Sequence, residues 1–132
     1  GLPVALAHLI RQIRVQHHID VEASIDHEAD PSAQDTRIFV YEAARELLFN
    51  AIKHAGATHH RVVLESTADG RIRLTVSDDG IGFRPDAPPE AQGRQRGLGL
   101  MRLRQRVPLI LAQLEFHSEP GRGTRVTLEI PR

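Results

Sequence analysis

Five polar side chains in the segment Glu42–His54 stand at spacings that could do chemistry. Glu42, Glu46, Asn50, Lys53 and His54 recur at intervals of three or four, so on a helix they form one ridge: two acids, an amide and two bases. Beside it Val40, Ala44, Leu47, Leu48, Ala51, Ile52 and Ala55 make an apolar face that must be buried. A polar ridge bordering a buried face could hold a metal ion and a polyanion.

A second group lies on the strand and turns that follow. Ile72, Leu74 and Val76 alternate with Arg71, Arg73, Thr75 and Ser77, and Asp78 falls in phase with the apolar set. A carboxylate turned toward a core needs a partner, because an unpaired buried charge is strongly unfavourable. An internal salt bridge or a capping role would supply one, and so would a ligand. Gly80-x-Gly82 follows directly, Gly97-x-Gly99 comes later, and Thr124 is in phase with Val126, Leu128 and Ile130. Neither glycine pair carries the third glycine of a dinucleotide fingerprint, and no GxxxxGK[ST] phosphate loop is present. The adjacent histidines His17-His18 and His59-His60 do not read as a zinc site: neighbours on a strand point to opposite faces, and no further ligand pattern surrounds them.

These groups need elements to position them. Pro3 suits a first helical turn, and Leu6, Leu9, Ile10 and Ile13 continue a helix to about Gln16. Ile19, Val21, Ala23 and Ile25 alternate with polar residues and predict a half-buried strand, followed by a loop over 27–35. The ridge helix starts at about Ala33 or Thr36 and ends at Ala55, with Gly56 as its cap. Strands over His60–Thr67 and Arg71–Asp78 flank the hairpin signal Asp69-Gly70. The glycine- and proline-rich stretch from Gly80 to Gly99 predicts an irregular loop, either functional or disordered. A helix resumes at about Leu98, and Pro108 should kink or shorten it before Leu111. Gln113–His117 and Thr124–Ile130 close the chain as a strand pair.

At 132 residues the chain fits one domain, 1–132, with a core of its own. Its net charge is zero, which argues against a generic nucleic-acid binder. Without cysteine it makes no disulfide and no thiolate metal site. No apolar run approaches the about 20 residues that span a bilayer. No secretory signal opens the sequence, and the start at Gly1 suggests a segment of a longer protein.

Taken in order, Glu46-Leu-Leu-Phe-Asn50-Ala-Ile-Lys53-His54, Asp78-Asp-Gly80-Ile-Gly82, Gly97-Leu98-Gly99-Leu100 and Pro120-Gly-Arg-Gly-Thr124 resemble the boxes of the GHKL ATPase superfamily. That group includes gyrase, MutL and the histidine kinases. The wording is most similar to the ATP-binding domain of sensor histidine kinases, in the nitrate-sensor and DegS-like branch, over nearly the whole chain. The sequence departs from that pattern after Leu100: Ile110-Leu111-Ala112 stands where a Gly-Gly turn belongs, with Pro108 just before.

The resemblance implies a two-layer α/β (α+β) sandwich of the Bergerat type. About five strands in a mixed, mostly antiparallel sheet would lie under about three helices, with a lid over bound nucleotide. It implies ATP and Mg²⁺ as ligands. Asn50 would offer an amide oxygen to Mg²⁺ and Lys53 a charge to the phosphates. Asp78 would accept from the adenine amino group, Gly80 and Gly82 would let backbone approach the base, and Thr124 would reach the same edge. Gly97, Leu98, Gly99 and Leu100 would bring amides to the phosphates at a helix start, and Arg94 and Arg96 belong to the lid. Glu46 is either a catalytic group, a Mg²⁺-shell member or a structural acid; His54 either contacts phosphate or ends the helix favourably as a cation.

The implied reaction is transfer of the γ-phosphate of ATP to a histidine on a separate helical dimerisation domain, upstream in a homodimeric parent that serves a response regulator. The only His-acid pair here, His27-Glu28, falls in a loop, so little or no autophosphorylation of this chain is expected. The domain would be cytoplasmic and touch neither nucleic acid nor membrane, whether or not the parent is membrane-anchored. Two other readings fit the same boxes: a GHKL protein with another target, such as an anti-sigma-type serine kinase or an ATPase clamp, and a binding module that no longer catalyses.

Overall fold

A computed structural model describes residues 1–54, 56–82 and 94–132. Helix α1 (Leu2–His17) turns Leu2, Leu6, Leu9, Ile10 and Ile13 into the core. Its first turn is tied by the Leu2 amide donating to Asp30 Oδ1 at 3.1 Å. Strand β1 (Val21–Ile25) leads to the long helix α2 (Gln34–His54). Strands β2 (His60–Ser66) and β3 (Ile72–Asp78) form the hairpin that Asp69-Gly70 announced. Helix α3 (Arg94–Arg106) passes into a 3₁₀ turn at Val107–Ile110, and β4 (Gln113–Ser118) with β5 (Thr124–Ile130) completes the sheet.

The five strands lie in the order β1-β2-β3-β5-β4. Only β1 with β2 is parallel; the other three pairings are antiparallel. The helices cover one face of this sheet. Their side chains and those of alternate strand positions form one apolar cluster, with Leu6, Ile10, Phe39, Val40, Leu47 and Leu48 against Val62, Leu64, Leu74, Val76, Val126 and Leu128. The other face carries charges, and Arg73 there donates to its cross-strand partner Glu129 at 2.7 and 2.9 Å.

Three expectations change. Ala23 is exposed rather than inward, on a strand at the edge of the sheet. The buried face of α2 also takes in Phe39 and Ala43. Arg106 of α3 lies over the Phe39 ring at 4.9 Å and pairs with Glu42, so α2 is covered from two sides and its stripe widens. The third helix begins at Arg94 rather than about Leu98.

Register decides where the apolar core stops. Following the helix-facing positions across the sheet gives Ile25, Leu64, Leu74, Leu128 and Leu114 in one row, and Ala23, Val62, Val76, Val126 and Phe116 in the next. The row after that is Val21, His60, Asp78, Thr124 and Ser118. Four of its five members are polar. The sheet end is thus a polar shelf on the same face as the core.

Candidate nucleotide site

The shelf is built largely by backbone. Asp78 ends β3 half-buried, and its Oδ1 accepts the Gly80 amide at 2.9 Å. That bond fixes the carboxylate and meets part of the need for a partner that its inward phase created. Gly80 is buried, and the chain then crosses the β4–β5 turn. Gly82 has φ +68°, and a Cβ there would lie 2.1 Å from the Glu119 carbonyl oxygen and 3.0 Å from that of Gly123. Only glycine fits such an approach. The Gly121 amide donates to Ile81 O at 2.6 Å, so the 78–82 segment and the 119–123 turn are interlocked. On the same shelf Thr124 Oγ1 and Ser118 Oγ are 2.8 Å apart, and Ser118 also donates to Gly123 O at 3.1 Å.

Asp79, next to Asp78, does structural work. It accepts from the amides of Thr58 (2.9 Å) and His59 (3.0 Å), from Thr58 Oγ1 (2.8 Å) and from His59 Nδ1 (3.0 Å). Those donors, the His59 amide foremost, hold its carboxyl well below the usual carboxylate range. The result ties the loop leaving α2 to the end of β3. A cavity of about 320 Å³ opens at this end of the sheet, touching Asp20, His59, His60, Asp78 and Asp79 together with Glu22, Arg61 and Ser77 of the opposite face.

The second half of the site is on α2. Glu46 and Asn50 are both half-buried, and Asn50 Nδ2 donates to Glu46 Oε1 across one helical turn at 3.4 Å. Lys53 is exposed and His54 is the last helical residue. Gly97, Leu98, Gly99 and Leu100 fall within the first two turns of α3. A helix leaves its first N–H groups free, and with a start at Arg94 these are the amides around Arg94–Arg96; Gly99 lies inside the helix. Its glycine has another reason: a Cβ at Gly99 would sit 1.7 Å from Glu46 Oε1. The absent side chain lets α3 close onto the Glu46 carboxylate. The lid expected between Gly82 and Gly99 falls mostly on residues outside those described.

A carboxylate-ended strand, a glycine interlock beside it and a Glu-Asn helix closed by a glycine-bearing helix form one architecture. The family described as histidine kinase-, DNA gyrase B- and HSP90-like ATPase matches residues 35–132. The chain belongs to this family.

As a member of the histidine kinase-, DNA gyrase B- and HSP90-like ATPase family, it is an ATP-binding domain homologous to sensor histidine kinases. It is 31% identical over 131 residues to the oxygen sensor histidine kinase NreB of Staphylococcus carnosus, covering 99% of this chain and 36% of that protein. An uncharacterised sensor-like histidine kinase of Chloroflexus aurantiacus is 34% identical over 92 residues, 70% of this chain and 15% of the relative. The chain thus spans well under half of these relatives. Among solved structures, the histidine kinase domain of the blue-light activated kinase of Erythrobacter litoralis EL346 superposes with a TM-score of 0.81 at 25% identity, over 99% of this chain and 65% of that one. Full-length ShkA in complex with AMPPNP shares the fold with a TM-score of 0.75 at 19% identity, over 99% of this chain and 30% of that one.

For this ATPase-family domain, strand parity placed Asp78 and Thr124 on the inward face but not their row partners His60 and Ser118. Strand register, not any motif, brings those two to the shelf. Among the described residues no group of three or more His, Cys, Asp and Glu could hold a metal ion. No described helix is long and apolar enough to cross a membrane.

Proposed function

We propose that this chain is the Mg²⁺-ATP-binding catalytic domain of a two-component sensor histidine kinase, transferring the γ-phosphate of ATP to a histidine on a separate helical dimerisation domain. Residues 1–132 act as one domain: α1 and β1, outside the family match, share the core and the sheet with the rest. The parent is a homodimer that passes the phosphoryl group to a response regulator, and the domain works in the cytoplasm.

The observation that carries this reading is the Asp78 carboxylate, fixed by the Gly80 amide at the end of a sheet whose family binds ATP. Asp78 accepts from the exocyclic amino group of adenine, Thr124 approaches the same edge, and Gly80 and Gly82 let the backbone lie close to the ring. Asn50, Lys53 and His54 serve the phosphate end with the start of α3. The donor set there fits Mg²⁺: Asn50 uses its Nδ2 toward Glu46, leaving an amide oxygen on the same half-buried ridge as a carboxylate, and Mg²⁺ takes oxygen ligands. When bound, that ion would neutralise charge on the triphosphate. Glu46 stands beside it, held between Asn50 and the Gly99 backbone, where it orients the acceptor or completes the ion's shell. Phosphoryl transfer asks mainly for positioning and charge neutralisation, and these residues supply both.

Calorimetry on Asp78→Asn tests the reading. The amide replaces a charge-assisted acceptor, and the expected loss is at least about tenfold in affinity for ATP, ADP and adenosine alike. Wild-type affinity would refute it. Incubation with γ-labelled ATP should leave no acid-labile label on the 132-residue chain and should label an added phosphoacceptor domain. Multiple turnover to ADP without an acceptor would favour a clamp-type ATPase.

A further inference from the structure

His60 is a polar member of the shelf row that the proposed function leaves without a task. It is 4% exposed and lies on the helix-facing side of β2, in phase with the buried Val62 and Leu64. Its direct cross-strand partner is Asp78. Its Nδ1 is buried and makes no hydrogen bond among the described residues. An imidazole nitrogen in that state is unfavourable, since a buried polar group without a partner loses its water and gains nothing. Packing alone would be served better by valine or leucine, as at the next two positions of the same face. Buried polar groups left unsatisfied in a native fold call for a reason.

We propose that His60 is a positioning residue for the base-recognition carboxylate: with a purine seated on the shelf, its Nδ1–H donates to Asp78 and fixes the plane in which that carboxylate meets the exocyclic amino group. This rests on the assignment of Asp78 to the base. Side chains of directly opposed antiparallel residues have Cβ atoms about 4.5–5.5 Å apart, within reach of such a bond once both lean together. An ionised carboxyl offers about four acceptor positions, and the Gly80 amide takes one of them. A seated base excludes water from the shelf, and a hydrogen bond gains strength where the local dielectric falls. His60 acts only through Asp78 and touches neither phosphate nor metal.

Three variants decide the matter. Asparagine places an amide where Nδ1 stands, glutamine where Nε2 stands, and leucine keeps the bulk without polarity. His60→Leu should weaken ATP, ADP and adenosine by the same factor, about tenfold or more, the worth of one hydrogen bond to a charged group. Its melting temperature without nucleotide should equal or exceed the wild type, because the unsatisfied nitrogen is gone. His60→Asn should hold within about twofold of wild-type affinity, and His60→Gln should behave like leucine. In long-range ¹H–¹⁵N spectra the His60 Nδ1 proton should become protected from exchange when ADP is added. Wild-type affinity in His60→Leu, or failure of asparagine to rescue, overturns the proposal while the base site stands, provided that Asp78→Asn binds weakly. If Asp78→Asn binds normally, the base assignment itself falls and this proposal with it.

Discussion

Gly82→Ala is the sharpest test of the interlock between the 78–82 segment and the 119–123 turn. Alanine at φ +68° carries the left-handed penalty of about 1–2 kcal/mol, offset by about 0.4–1 kcal/mol from the restricted unfolded chain. The added Cβ also falls 2.1 Å from the Glu119 carbonyl oxygen. Backbone on both sides must separate, and the hydrogen bond from Gly121 N to Ile81 O is lost, for about 1 kcal/mol more. The sum is about 1–2.5 kcal/mol, or a melting temperature lower by about 4–9 °C in a chain of this length. Gly70→Ala is the internal control. Its φ is +82°, but nothing lies within 4 Å of a Cβ there, so it should show the conformational part alone, about 0.5–1 kcal/mol. Thermal melts followed by circular dichroism, with and without Mg²⁺-ATP, give both numbers. If Gly82→Ala melts with Gly70→Ala, the interlock does not carry the stability ascribed to it.

Asp79→Asn should lower the melting temperature at neutral pH and flatten the acid limb. The Asp79 pKa is depressed in the folded chain, so its contribution is present above the ordinary value of 3.8 and is lost as pH falls from there toward the folded value. Melts between about pH 7 and pH 2 should therefore draw together for the two proteins below the ordinary carboxylate range without merging. Leu111→Gly should stabilise by about 0.5–1 kcal/mol, because Leu111 holds φ +58° while 75% exposed; chemical denaturation with an unchanged slope would report it. Asn50→Asp should weaken Mg²⁺-ATP binding about tenfold or more and leave adenosine untouched, a split that titration calorimetry resolves.

Much of this molecule could be read from residue order because its signals are local. The parity of Ile72, Leu74 and Val76 alone turned Asp78 inward, and β5 runs over Thr124–Ile130 as its alternation required. The 3.6-residue stripe placed Glu46 and Asn50 side by side on α2. What escaped was non-local. Gly97 and Gly99 weigh against helix when propensity alone is considered, yet the helix runs through both, and the contact that asks for Gly99 is 53 positions away at Glu46. His60 looked like half of an idle histidine pair until the β2–β3 register put it opposite Asp78. Phe39 and Ala43 joined the core because α3 covers α2, a fact no window on α2 contains.

Helix α3 is secured at its C-terminal end. Leu103 is buried, Arg104 lies over Phe116 at 4.7 Å, and Arg106 pairs with Glu42 while covering Phe39. Such a rod behaves as a lever with its fulcrum near Leu103. At about 1.5 Å per residue, Gly99 sits about 6 Å from the fulcrum and Arg94 about 13 Å. A displacement at Arg94 would therefore reach the Gly99–Glu46 contact at roughly half its size. Glu46, one turn from Asn50 on α2, would then move by less than the start of the helix does.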